Sequence, residues 1–119
     1  MLGVRMGTHG RRLGAVGEQL AASWYERQGF TVVARNWRCR HGEIDLIVRR
    51  GDLVVFAEVK ARSSVRFGVP AEAVTRAKQQ RLRRLVGAWL AAERPGAAEL
   101  RCDVVSVLAG RVEVVEAAF

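Results

Sequence analysis

The chain has 119 residues, 50% hydrophobic and 27% charged, with twenty Lys and Arg against twelve Asp and Glu for a net charge of +8 at pH 7. That is the composition of one globular domain, long enough to bury about two-thirds of its surface without disulfides or a structural metal. The longest apolar run, around residues 53–59, is strand length and no membrane span, and Cys39 and Cys102 match no zinc spacing. They read as free thiols of a reducing cytoplasm, which argues against a membrane protein, a secreted disulfide scaffold and a zinc finger.

Residues 1–12 are rich in Gly and Arg and lack an apolar stretch. They are expected to form a basic flexible segment, not a secretory leader, ahead of a single domain over 13–119. A helix is predicted over 13–28, where Leu13, Val16, Leu20, Ala21 and Trp24 recur on one face and Gly29 offers a left-handed stop. A short strand over 30–38 follows. Two stronger strands, 43–48 and 53–60, flank Arg49-Arg50-Gly51-Asp52 and should form an antiparallel hairpin. Beyond a polar stretch, Pro70 marks the start of a long helix over 71–92. That helix buries Val74, Leu82, Leu85, Val86 and Trp89 and turns Arg76, Lys78, Arg81, Arg83 and Arg84 outward. Two strands, 100–108 and 111–116, close the chain. The order αβββαββ predicts an α/β fold, a mixed β-sheet flanked by helices.

A basic domain of this size is expected to meet a polyanion, nucleic acid first. Eighteen of the twenty cations are arginine, so a merely Arg-rich surface is the plainer reading of charge alone. The hairpin sharpens the choice. With its loop centred on Arg50 and Gly51, Glu43 falls opposite Glu58, and Glu43, Asp45, Glu58 and Lys60 share one face. Clustered acids in a buried-type strand repel one another and resist desolvation. A hard divalent cation such as Mg²⁺, bound through carboxylates, water and phosphate, removes that cost. A nearby lysine, one of only two in the chain, can reach the attacking water or the phosphate. A salt bridge between Lys60 and Glu58 or Asp45 is the structural alternative, because Glu-x-Lys alone is a weak signal.

Gly17-Glu18 before an amphipathic stretch, Arg35-Asn36, Gly42-Glu43-Ile44-Asp45-Leu46-Ile47, Phe56-Ala57-Glu58-Val59-Lys60-Ala61-Arg62, Gly68 with Pro70, Lys78 and Arg101-Cys102-Asp103-Val104-Val105 together resemble the bacterial YraN-like family. That family is similar to the PD-(D/E)xK nuclease superfamily, with Holliday-junction-resolvase-like enzymes as neighbours. The resemblance implies a restriction-endonuclease-like fold and a Mg²⁺- or Mn²⁺-dependent endonuclease acting on DNA, branched DNA included. It implies Asp45 and Glu58 as metal-binding acids, Lys60 as the catalytic lysine and Glu18 as a further acid at the metal. The sequence departs from the superfamily pattern at Ile44, where the eponymous proline stands, and at Cys102, where an aromatic is usual. Gln79 or Gln80 is a candidate supporting polar residue. Resolvase-like relatives act as dimers, so a homodimer is also implied.

Arg62, Arg66, Lys78 and Arg81 flank the site and are expected to contact phosphate. Glu43 either assists the metal or faces solvent, and Asp103 is expected in a structural hydrogen bond or salt bridge. Trp24 and Trp89 read as core, Trp37 as a candidate for base stacking. A non-catalytic nucleic-acid-binding module on the same fold, or an interaction subunit of a larger processing complex, is the competing expectation. No membrane partner is expected.

Overall fold

The computed structural model describes residues 8–62 and 75–119, with side chains from residue 14 onward. In chain order its elements are α1 (Thr8–Arg27), β1 (Thr31–Cys39), β2 (Gly42–Arg50), β3 (Leu53–Arg62), α2 (Arg76–Glu93), β4 (Glu99–Leu108) and β5 (Arg111–Val115). The five strands form one open sheet in the order β1-β2-β3-β4-β5. All neighbours are antiparallel except β3 and β4, which run parallel. A parallel pair needs a crossover, and the chain between those strands supplies α2 for it. The result is the expected mixed α/β sheet flanked by two helices.

Each face of the sheet packs its own helix. Ala21, Ala22 and Tyr25 of α1 pack with Leu46, Val48, Val55, Ala57, Val105 and Val107. On the other face, Leu82, Leu85 and Trp89 of α2 pack with Ile44, Ile47, Val54 and Phe56. The central strands β2 to β4 are covered on both sides, hence their nearly continuous aliphatic sequence.

Helix α1 differs from its predicted form in two ways. It begins at Thr8, so residues 8–12 of the expected flexible segment are helical, as the high helix propensity of Arg permits without any apolar periodicity. Its seated face is also rotated, and Val16 is 55% exposed. The rotation follows from Gly17, which is buried, and whose added Cβ would stand 2.6 Å from the Ala61 Cβ. Small side chains let the helix backbone approach β3 there, and Val16 is turned away. Pro70 and Val74, the expected start of α2, lie outside the described residues.

Asp103 on β4 is fully buried. Its carboxylate accepts the Tyr25 hydroxyl at 2.7 Å, Arg101 Nε and Nη2 at 2.9 and 3.0 Å, and the Ala117 N–H at 3.1 Å. The network ties α1, β4 and the end of β5 together, which is the structural role expected of Asp103.

Candidate functional site

The site begins where two strands part. The β2–β3 ladder runs from Arg50↔Leu53 to Leu46↔Ala57 and stops. β3 nonetheless stays paired with β4 as far as Arg62↔Leu108, and β2 with β1 as far as Cys39↔Gly42. A fork opens between β2 and β3 beyond Leu46 and Ala57. Main-chain donors along such an edge need other partners. The Val59 N–H finds one in Asp45, donating to Oδ2 at 2.8 Å.

The local sequence explains the fork. Ile44 and Ile47 both pack on the α2 side although they are three residues apart, which regular strand alternation forbids. The alternation therefore breaks between them, at Asp45 and Leu46. Across the ladder, between Arg35↔Leu46 and Trp37↔Ile44, Asn36 has φ 51°, a left-handed conformation that asparagine tolerates better than most residues. Gly42 (φ +133°) lies against Leu85 and the stem of Arg81, so α2 settles close to the start of β2.

These features overturn the expected register and the single shared face. Arg50 pairs with Leu53, so the hairpin loop is Gly51 and Asp52, with Gly51 at φ +60°. Moving the loop centre by one residue slides the pairing by two, and continuing the ladder would set Asp45 opposite Glu58. Glu43 lies beyond the break. It pairs with Arg38 at 3.6 Å, and its charge acts on Glu18 of α1. Glu58 and Lys60 follow Phe56 onto the α2 side, where Lys78 of α2 meets them.

Four acids and two lysines thus lie around the fork, Glu18 from α1, Lys78 from α2 and the others from β2 and β3. Glu58 Oε1 lies 3.8 Å from Lys60 Nζ and 3.3 Å from Lys78 Nζ, with the Glu58 side chain only 13% exposed. Burial pushes the Asp45 carboxyl up to about 7, helped by the nearby Glu58 charge and opposed by the Val59 N–H. Glu18 is also raised by burial, although its Oε1 accepts the Asn36 amide at 3.2 Å. Lys60 is lowered by burial and by the Lys78 ammonium beside it. An acid that keeps its proton toward neutral pH and an amine that loses its own more easily than usual make the kind of environment in which functional groups cluster.

Hard oxygen donors are the right type for Mg²⁺ or Mn²⁺. Among the described residues, no three His, Cys, Asp or Glu side chains form a ready-made cation cage. Asp45 and Glu58 offer a two-carboxylate site, which suits Mg²⁺ because it keeps several waters and commonly binds through one or two carboxylates plus phosphate. Glu18, held by Asn36, acts on Asp45 through its charge.

The other expected residues are dispersed. Arg62 ends β3, half-buried, and Arg81 is exposed on α2, while Arg66 lies outside the described residues. Gln80 is exposed and Gln79 half-buried on the first turns of α2. Trp37 packs against the α2-side core, Trp89 lies within it, and Trp24 packs against the core under α1, so Trp37 serves packing here. The His41 N–H donates to Cys39 Sγ at 3.4 Å. A cavity of about 240 Å³ lined by Arg83, Val86, Leu100 and Cys102 contains none of the site residues.

Sequence reasoning missed Asn36 as the residue that turns the strand and holds Glu18. Lys78, expected to contact phosphate from the flank of the site, has its amine on Glu58. The scarcity of lysine that singled out Lys60 applies equally to Lys78.

Fold and site together define an α/β protein with an open five-stranded sheet whose acids and lysines gather in a fork between two central strands. The chain belongs to the Uncharacterised protein family UPF0102, whose model matches residues 17–107. It is 56% identical over 99 residues to a UPF0102 protein of Beutenbergia cavernae, covering 83% of this chain and 84% of that one. It is 52% identical over 111 residues to a relative from Mycolicibacterium vanbaalenii, 92% of each chain. A UPF0102 protein of Chloroflexus aurantiacus is 49% identical over 110 residues, 90% of this chain and 89% of that one. No helix among the described residues is long and apolar enough to cross a membrane.

Proposed function

We propose that this protein is a divalent-metal-dependent endonuclease that hydrolyses phosphodiester bonds in DNA, branched DNA included. What carries the reading is the fork itself: Asp45, Glu58 and Lys60 meet at the point where the ladder opens, with the Asp45 carboxyl raised to about 7 by burial and by Glu58. Such a cluster opposes folding unless a cation or a substrate uses it.

Asp45 and Glu58 would hold Mg²⁺ or Mn²⁺, with Glu18 adding negative charge that acts on Asp45. The bound cation supplies Lewis-acid polarisation of the phosphate and lowers the pKa of coordinated water. The Val59 N–H fixes one oxygen of Asp45 and leaves the other for binding. Lys60 orients the attacking water or takes its proton, as its lowered pKa favours, and offsets charge developing on the phosphate oxygens. Arg62, Arg66 and Arg81 contact the DNA backbone, fixing position without reading sequence.

The test is cleavage of labelled single-stranded, duplex, flap and four-way-junction DNA in Mn²⁺, Mg²⁺ and EDTA, with wild type beside Asp45→Asn and Lys60→Ala. Metal-dependent cleavage by wild type, lost in both variants, is expected. Gel-shift binding that is equal in all three proteins, with no cleavage, overturns the enzyme and leaves a binding module.

A further inference from the structure

The two lysines of this chain, among eighteen arginines, end on the same carboxylate oxygen. One comes from β3 and the other from the first turn of α2, and the α2 lysine is the closer, at 3.3 Å against 3.8 Å. Lys78 is poorly placed for helix stability. Thr75 caps α2 and accepts the Lys78 N–H at 3.1 Å, so Lys78 occupies the position where a capping box puts Glu or Gln. The first turn holds no acid at all, and a cation there opposes the helix dipole. Its side chain is nevertheless only 19% exposed, with the amine directed onto Glu58 in the fork. A surface phosphate contact would need neither that burial nor a lysine, since arginine serves elsewhere on this chain.

We propose that Lys78 is a second phosphate-binding lysine of the active site, forming with Lys60 a two-ammonium clamp on one phosphodiester group. The proposal rests on the phosphodiester-hydrolysis reading above. In the structure the Glu58 carboxylate occupies the position of an anion between the two amines. A cation held at Glu58 would take up that carboxylate's charge and leave both ammonium groups to meet the scissile phosphate. Two compact charges with rotatable donors can follow a phosphate through its change of geometry, which a rigid guanidinium fork cannot do equally well. Because Lys78 belongs to α2, the clamp closes across the fork from the helix side.

The lysine count makes the test direct, because nitrogen-15 lysine labelling of the full chain gives two side-chain ammonium signals. The probe is a duplex with phosphorothioate linkages, titrated in Mg²⁺. Both signals are expected to shift with a common midpoint, and Glu58→Gln is expected to shift both without DNA. A Lys78 signal that stays still while DNA binds overturns the clamp. In cleavage, Lys78→Arg and Lys78→Met are each expected to lose about 100-fold in kcat with KM little changed. A structural ion pair predicts instead that Arg rescues, and rescue by Arg overturns the proposal. If wild type cleaves no DNA, the nuclease reading falls on its own. The ammonium titration then decides the clamp as a phosphodiester-binding site.

Discussion

Replacing Asp45 by Asn should make the metal-free protein more stable at pH 8. The Asp45 carboxyl rises from an ordinary 3.8 to about 7 because burial and the Glu58 charge disfavour its ionised form. Its folded pKa therefore lies above its unfolded one. Between about pH 4 and pH 7 the native state binds more protons, so stability falls as pH rises through that window. A shift of roughly 3 units at 1.36 kcal/mol per unit sets a ceiling of about 4 kcal/mol on what the charged carboxylate costs at pH 8. Asparagine removes the charge and keeps an oxygen to accept the Val59 N–H. A gain of about 2–4 kcal/mol is expected, on the order of 10 °C in Tm for a domain of this size. At pH 5 less than roughly half of that difference should remain, since native wild type is by then mostly protonated at this position. The assay is thermal unfolding of both proteins in EDTA at pH 5 and pH 8. A variant no more stable than wild type at pH 8, or a difference that ignores pH, refutes the argument that this carboxylate is held against its own electrostatics.

Other consequences can be measured with the same simple equipment. Millimolar Mg²⁺ or Mn²⁺ should raise the Tm of wild type at pH 8 by a few degrees, as any ligand selective for the native state does, and should leave Asp45→Asn nearly unmoved; an equal rise in both places the cation elsewhere. Asp103→Ala should cost about 3–5 kcal/mol, because it leaves the buried Tyr25 hydroxyl without its acceptor and takes from Arg101 its two-point contact, leaving only Glu116, and chemical denaturation should show this as a lower midpoint. Gly17→Val should cost about 1–3 kcal/mol, since even a Cβ there meets the Ala61 Cβ at 2.6 Å; a neutral result in the same unfolding assay would mean that α1 can lift off β3 freely.

Much of this architecture was legible because periodicity survives in short windows. Leu82, Leu85 and Trp89 announced α2 and its buried face, and the aliphatic run of β3 announced a buried strand. What failed depended on one residue or on distance. Centring the hairpin on Arg50 and Gly51, when the loop is Gly51 and Asp52, displaced every pair by two, although the parity of faces within the ladder survived. Past the ladder that parity fails, because Asn36 in a left-handed conformation and the break beside Asp45 send Glu43 away from Glu58. Alternation assumes regular backbone and could not foresee it. Val16 was placed in the core by spacing alone, whereas a glycine at the contact let α1 roll its small residues onto the sheet. Lys78 meets Glu58 only through the packing of α2, which no local pattern encodes.

Asp103 and Asp45, two aspartates of the sheet, are held in opposite ways. Asp103, fully buried, accepts a tyrosine hydroxyl, a two-point arginine contact and a main-chain N–H, so its oxygens are fully partnered. Asp45 sits where the sheet has come apart, takes the Val59 N–H, and faces the repulsion of Glu58, Glu18 and Glu43. Around it lie a left-handed asparagine and a lysine at the wrong end of a helix, each a local violation that a sequence selected for stability alone would have removed. Departures of this kind scatter when they are accidents and converge when they serve one purpose. Here they converge on a fork wide enough to interrupt the hydrogen-bond ladder, and the cost of holding Asp45 charged there is the free energy that a cation and a phosphodiester would recover on binding.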